Sequence, residues 1–228
     1  MHSPNTRLAD YQADGFRLFK AFTDNEFAIL YDFAVLWVRK VLLTWLDHIP
    51  LALYHDWSEA PDIDHAAIFC TENRHTAPPT YIRKILLNDT VKEFLTEVAG
   101  QWQLHDDGLG WLGFRLIRPN HGDGHPLLCK AWGPAKDVVS CWVPIIGFTP
   151  KQTITLVPGS HLREWQKAPM GGKFADEFRL AEPPGHTYNP HMRNGEAVFF
   201  HPRTLHSVDI RKGNVTGLSL EFRVNSCL

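Results

Sequence analysis

Val138-Val139-Ser140-Cys141-Trp142-Val143-Pro144-Ile145-Ile146 is dense in β-branched and aromatic side chains and reads as a strand. Four more runs share its texture: Trp111 to Ile117, Thr153 to Val157, Ala197 to His201 and Leu218 to Val224, with Gly, Pro, Asn and Lys between them. Several short strands at this spacing predict a sandwich or barrel from residue 108 to the end. The stretch from Leu162 to Arg193 contains Pro169, Gly171, Gly172, Pro183, Pro184, Gly185 and Pro190. It reads as a long excursion between two strands, the kind of loop that serves as a lid or binding loop.

Upstream the periodicity changes. From Asp24 to Leu46, Phe27, Leu30, Tyr31, Phe33, Ala34, Trp37, Val38, Val41 and Leu42 recur at helical spacing, with Thr23 or Asp24 as N-cap and Pro50 closing the region. A second helical pattern covers Pro79 to Leu104, with Ile82, Ile85, Leu86, Val91, Phe94, Leu95 and Val98 on its buried side. The expected architecture is one domain over residues 1–228, mainly β, with a helical part (1–107) packed on a barrel (108–228).

At 228 residues with 44% hydrophobic side chains, one core forms without disulfides. Cys70, Cys129, Cys141 and Cys227 lack C-x-x-C spacing and read as reduced thiols. A net charge of -2 offers no field for a phosphate backbone, so nucleic acid is not an expected partner. The chain opens on His2, Pro4, Asn5 and Arg7 rather than a basic then apolar leader, and Asp32, Arg39 and Lys40 interrupt its most apolar stretch. The expectation is a cytoplasmic protein without a membrane span, with a homodimer possible through the apolar N-terminal helices. Asn214-Val215-Thr216 would then not meet glycosylation machinery, and no G-x-S-x-G is present for a serine nucleophile.

The polar cluster that stands out is Asn120-His121-Gly122-Asp123-Gly124-His125-Pro126, directly after Phe114-Arg115-Leu116-Ile117. If it stays extended, His121, Asp123 and His125 share one side, because alternate residues of a strand do. A third ligand comes from His206, at the end of the run from Ala197. Two imidazoles and one carboxylate on one face of a metal, with open positions, form the ligand set of non-haem Fe(II) oxygenases. The competing reading of His121 and His125 is a Gly/Asn-rich surface turn. Lys130, Trp132 and Lys136 line either a substrate entrance or a solvated connection.

The succession of His121-x-Asp123, Val138 to Pro144, Val157-Pro158-Gly159-Ser160-His161, Gly195-Glu196-Ala197-Val198-Phe199-Phe200-His201 and Leu205-His206 resembles the phytanoyl-CoA dioxygenase family over roughly residues 108 to 226. The resemblance implies a double-stranded β-helix, or jelly roll. It also implies Fe(II) held by H-x-D and the distal histidine, with 2-oxoglutarate chelating the iron and an arginine on its far carboxylate. The histidine of P-G-S-H, here His161, is structural in that family. Carried onto this chain, the metal ligands are His121, Asp123 and His206, and the cosubstrate side falls to Arg223, Arg211 and Trp142. The implied activity is hydroxylation of an aliphatic C–H in a small metabolite or polysaccharide precursor.

Two departures bear on that transfer. The family interval from His206 to its arginine lands on Gly217, so Arg223, on the same strand parity, or Arg211, in a turn, must substitute; Arg223 has pairing with Glu221 as its alternative role. In a second register His125 is the proximal ligand and Leu127 stands where the carboxylate belongs, as in a halogenase-like variant. The alternatives are a non-catalytic jelly-roll binding protein that keeps the P-G-S-H framework, and a cupin-like metal enzyme that needs no 2-oxo acid.

Overall fold

The structure, a computed structural model, describes residues 4–41, 51–57, 75–106, 108, 110–119, 121, 137–148, 153–169, 178–180, 184–208 and 214–227. The helices are α1 (Pro4–Asp14), α2 (Asp24–Val41), α3 (Tyr54–Trp57), α4 (Thr80–Leu86) and α5 (Asp89–Ala99). The strands are β1 (Phe16–Lys20), β2 (His75–Thr76), β3 (Trp102–Leu104), β4 (Leu112–Ile117), β5 (Asp137–Ile146), β6 (Ile154–Leu156), β7 (Lys167–Pro169), β8 (Phe178–Leu180), β9 (Glu196–Phe200), β10 (His206–Val208) and β11 (Gly217–Ser226).

A major sheet runs β1-β9-β5-β11-β4-β2, with β3 also on β11, and a minor sheet pairs β10 with β6. Every strand pairing among the described residues is antiparallel. The outer face of the major sheet meets the helices: Leu30, Ala34, Val38, Ile82, Leu86, Val91 and Phe94 share one core with Phe114, Val143, Phe199, Leu220 and Phe222. Its inner face meets the minor sheet, where Phe16, Trp142, Val198 and Phe200 pack with Ile154, Leu156 and Val208. Two facing antiparallel sheets with the chain crossing between them at β5–β6, β9–β10 and β10–β11 are the double-stranded β-helix, so the predicted jelly roll is the fold the chain forms.

Local chemistry explains the element ends. Thr23 and Glu26 form a capping box at α2: Glu26 N–H donates to Thr23 Oγ1 (3.2 Å) and Thr23 N–H to Glu26 Oε2 (2.8 Å). The predicted helix from Pro79 to Leu104 is instead α4, α5 and β3. Asn88 breaks it, because its side chain accepts from Val91 N–H (3.0 Å) while its amide donates to Ala21 O (2.9 Å). In α2 the periodicity is confirmed by buried Phe27, Leu30, Ala34 and Val38, but Tyr31 is exposed; Leu42 to Leu46 lie outside the described residues.

The helical expectation for residues 1–107 misses β1, which closes one edge of the major sheet by pairing Phe16–Lys20 with Phe200–Glu196. The excursion after Leu162 is not structureless: β7 and β8 form a hairpin and Tyr188 bridges to Leu156. Cys141 is buried and Cys227 exposed, both free; Cys70 and Cys129 lie outside the described residues. No described helix is long and apolar enough to cross a membrane.

Candidate active site

His206 does not end the strand that starts at Ala197, as the sequence suggests; it opens β10 in the opposite sheet after a turn through residues 201–205. That turn decides its direction. His206 and Val208 share one side of β10, and Val208 lies in the core between the sheets, so the imidazole faces the barrel interior. It is buried, its ring centroid lies 4.5 Å from that of Phe200, and its Nδ1–H donates to Thr204 O (2.8 Å). With the proton fixed on Nδ1, the lone pair is on Nε2, the tautomer that a metal ligand needs.

His121 Nδ1–H donates to Pro119 O (2.6 Å) in a turn beyond β4. That turn follows Ile117, the partner of Gly217, about 20 Å along the strands from the Arg223-Ser140-Phe200 row beside His206, so the structure does not bring His121 and His206 together. Asp123, His125, Leu127, Arg211, Lys130, Trp132 and Lys136 lie outside the described residues. Among the described residues no three His, Cys, Asp or Glu side chains gather to hold a metal.

The inner face of the major sheet supplies the rest. On β11, Gly217, Ser219, Glu221 and Arg223 point inward, opposite Ile117, Arg115 and Gly113 on β4 and Pro144, Trp142 and Ser140 on β5. Arg223, the predicted cosubstrate residue, is on this face, in the row Arg223-Ser140-Phe200 nearest His206. Glu221 holds Arg115, with Nε donating to Oε1 at 2.7 Å and Nη2 to Oε2 at 3.4 Å. Each side chain of that pair is 21% exposed. Arg115 is the residue that sequence reasoning missed. Its signal was a lone cation among the alternating Leu112, Phe114 and Leu116 of a core strand.

Among the described residues, three buried polar atoms of this face have no hydrogen-bond partner: Ser219 Oγ, Ser140 Oγ and Trp142 Nε1. Buried polar groups are nearly always paired, so a cluster of orphans on one inner face marks where a polar ligand sits. Trp142, placed on the cosubstrate side by sequence, is among them, fully buried with its ring edge-on to Phe148 at 4.9 Å.

At the rim of the barrel the P-G-S-H segment is tied to the α1–β1 turn, although His161 Nδ1 is also without a hydrogen-bond partner among the described residues. Gly159 of P-G-S-H takes a left-handed φ of 70°, and its N–H donates to Asp14 O (2.9 Å). His161 bonds Gln12 O (3.0 Å), and Thr204 Oγ1 and His201 N–H both donate to Gly15 O (2.7 Å each). Any Cβ on Gly15 would lie 2.3 Å from His161 Nδ1. His161 is therefore framework, tying the turn between α1 and β1 to the barrel. Burial lowers its pKa, and burial with repulsion from His161 and Arg203 brings His201 down to about 4.

The family model described as phytanoyl-CoA dioxygenase (PhyH) matches residues 84–208, more than half of the chain. The chain belongs to the PhyH family. Fe(II) and 2-oxoglutarate are the cofactors that go with this family. The match stops at the end of β10, so β11, with Gly217, Glu221 and Arg223, lies beyond it.

Solved structures share the PhyH-like fold. SnoN, an epimerase in complex with Fe3+, alpha ketoglutarate and nogalamycin RO, is 17% identical over 97% of this chain and 83% of its own, with a TM-score of 0.63. SnoK, a non-heme alpha ketoglutarate dependent carbocyclase from nogalamycin biosynthesis, is 12% identical over 99% and 85%, at 0.64. EctD from S. alaskensis, in its apoform, is 13% identical over 99% and 77%, at 0.61. No curated protein matches the sequence.

Proposed function

We propose that this PhyH-family chain is a cytoplasmic Fe(II)/2-oxoglutarate-dependent dioxygenase that hydroxylates an aliphatic C–H bond of a small metabolite or polysaccharide precursor. The observation that carries the reading is His206, an inward imidazole with its Nδ1 proton committed to Thr204 O, beside an inner face of orphaned polar atoms. His206 would hold the metal with Asp123 and a proximal histidine, for which His125 is favoured over His121 because the turn that carries His121 follows Ile117 at the Gly217 end of the sheet. Bound iron and 2-oxoglutarate supply the oxidant, with O₂ consumed and succinate and CO₂ released.

The chain's own contribution is placement. Thr204 O fixes the tautomer of His206, so its Nε2 lone pair does not have to be set on binding. Phe200 covers one side of His206 and shields it from water. Trp142 Nε1 and the two serine hydroxyls are donors for oxygen atoms that enter the interior.

The test is an anaerobic titration of metal-stripped protein with Fe(II) and then 2-oxoglutarate. A visible charge-transfer band at one iron per chain is expected, and Asp123→Ala is expected to lose it. An Asp123→Ala protein that still turns over removes Asp123 from the ligand set and turns attention to the halogenase-like register of His125 and Leu127. A second reading, a non-catalytic binding protein, is favoured by one feature: Glu221 already neutralises an arginine inside the barrel where Gly217 carries no side chain. Folded protein with no band under any loading would select it.

A further inference from the structure

Arg115 is a partly buried cation held along one edge. Glu221 grips it along the side edge of the guanidinium, through Nε and Nη2. A guanidinium has a second bidentate edge, Nη1 with Nη2, and Nη1 has no hydrogen-bond partner among the described residues. With its position fixed by Glu221, Arg115 presents that edge with little rotamer entropy left to lose.

The surroundings complete a subsite. Arg115 is the register partner of Ser219, whose hydroxyl is fully buried and unpaired. The neighbouring inward position on β11 is Gly217, opposite Ile117, and it carries no side chain of its own. Arg115 also lies at a suitable depth. The Arg223-Ser140-Phe200 row adjoins His206, while Ser219 is roughly 13 Å further along the strand at about 3.3 Å per residue. A ligand chelated at the His206 end by its 2-oxo acid group would extend its other end toward Arg115.

We infer that Arg115, positioned by Glu221 and joined by Ser219 Oγ, binds the far carboxylate of 2-oxoglutarate, and that Arg223 does not. This rests on the 2-oxoglutarate-dependent reading above. Arg115 touches the cosubstrate; Glu221 is a positioning residue that acts through it.

The experiment compares two 2-oxo acids on Fe(II)-loaded protein without oxygen, by calorimetry and by the charge-transfer band. One is 2-oxoglutarate; the other is 2-oxopentanoate, which has a methyl group in place of the far carboxylate. Wild type is expected to bind 2-oxoglutarate the more tightly by roughly ten- to a hundredfold, the worth of hydrogen bonds to a charged group. Arg115→Lys, which keeps the charge without the fork, is expected to lose most of that preference and leave 2-oxopentanoate binding unchanged. The double variant Arg115→Met with Glu221→Gln removes the pair without stranding a carboxylate, and should bring the ratio close to one. Unfolding curves check that both variants fold.

A preference that survives both substitutions, or one lost instead in Arg223→Met, overturns the inference and leaves the oxygenase reading intact. Equal binding of the two acids by wild type has the same meaning. Binding of neither acid by wild type overturns the oxygenase reading, and the inference with it.

Discussion

Along β11, Leu218, Leu220, Phe222 and Val224 face the helices, whereas Gly217, Ser219, Glu221 and Arg223 face the minor sheet. The two sides of one backbone are equally sheltered in places, since Leu220 and Ser219 are both fully buried, yet they are finished to different degrees. The outer side is closed by apolar packing against α2, α4 and α5. The inner side retains orphaned hydroxyls, an indole N–H and an ion pair with one edge of its arginine unused. Orphaned atoms of the helical side, Trp37 Nε1 and Arg39 Nε, are on α2 and not on the sheet, so it is within the strand rows that the contrast separates the two faces in single-residue steps.

The largest effect that would break the comparison is on the outer side. Phe222 is buried edge-on to Trp111, with ring centroids 6.1 Å apart. Phe222→Ala should cost about 3–5 kcal/mol in denaturant unfolding, through lost burial and the cavity left behind. It should leave the affinity of the folded fraction for 2-oxoglutarate unchanged. A mild loss of stability with a large loss of affinity would mean that the outer face is part of the site.

The barrel strands were legible because each alternates or runs apolar within a few residues of Gly or Pro, and none needs a distant partner to be recognised. Phe16-Arg17-Leu18-Phe19-Lys20 was not, because its strand character depends on pairing with Phe200–Glu196 at the other end of the chain. The helix expected through Leu104 overran because the apolar spacing continues across Asn88, whose capping role shows only when its amide reaches Ala21 O. In the site, His206 was legible as a ligand but not as the first residue of a new strand. Arg115 was lost because a lone charge in an alternating strand reads as a solvent face, and only barrel closure makes that face an interior. Asp123, His125 and Arg211 lie outside the described residues, so the geometry adds nothing to their sequence reading.

The rim histidines sharpen the contrast with a smaller effect, because their polar atoms serve the framework. His201, with a pKa of about 4 against an ordinary 6.5, is neutral in the folded chain and takes up its proton more readily when unfolded. Its contribution is therefore fully present above about pH 6.5 and is lost as the pH falls toward 4; His161 is lowered in the same direction. The melting temperature should fall across that window, and His201→Gln should flatten the fall. An equal slope in wild type and variant would show that the acid sensitivity arises elsewhere.

The smallest effect is the most diagnostic of the inner face. A buried serine that makes a hydrogen bond typically loses about 1 kcal/mol on conversion to alanine, because a partner is left unpaired. Ser219 Oγ has no partner among the described residues, so Ser219→Ala strands nothing there and removes a hydroxyl whose burial was itself unfavourable. Thermal unfolding of the cofactor-free variant should therefore match wild type or lie slightly above it. The same substitution should weaken 2-oxoglutarate binding several-fold, because the hydroxyl then has a carboxylate to meet. Stability and affinity moving in opposite directions is the signature of a group kept for a ligand. A variant that is less stable and binds equally well would return Ser219 to the fold and leave Arg115 to act without it.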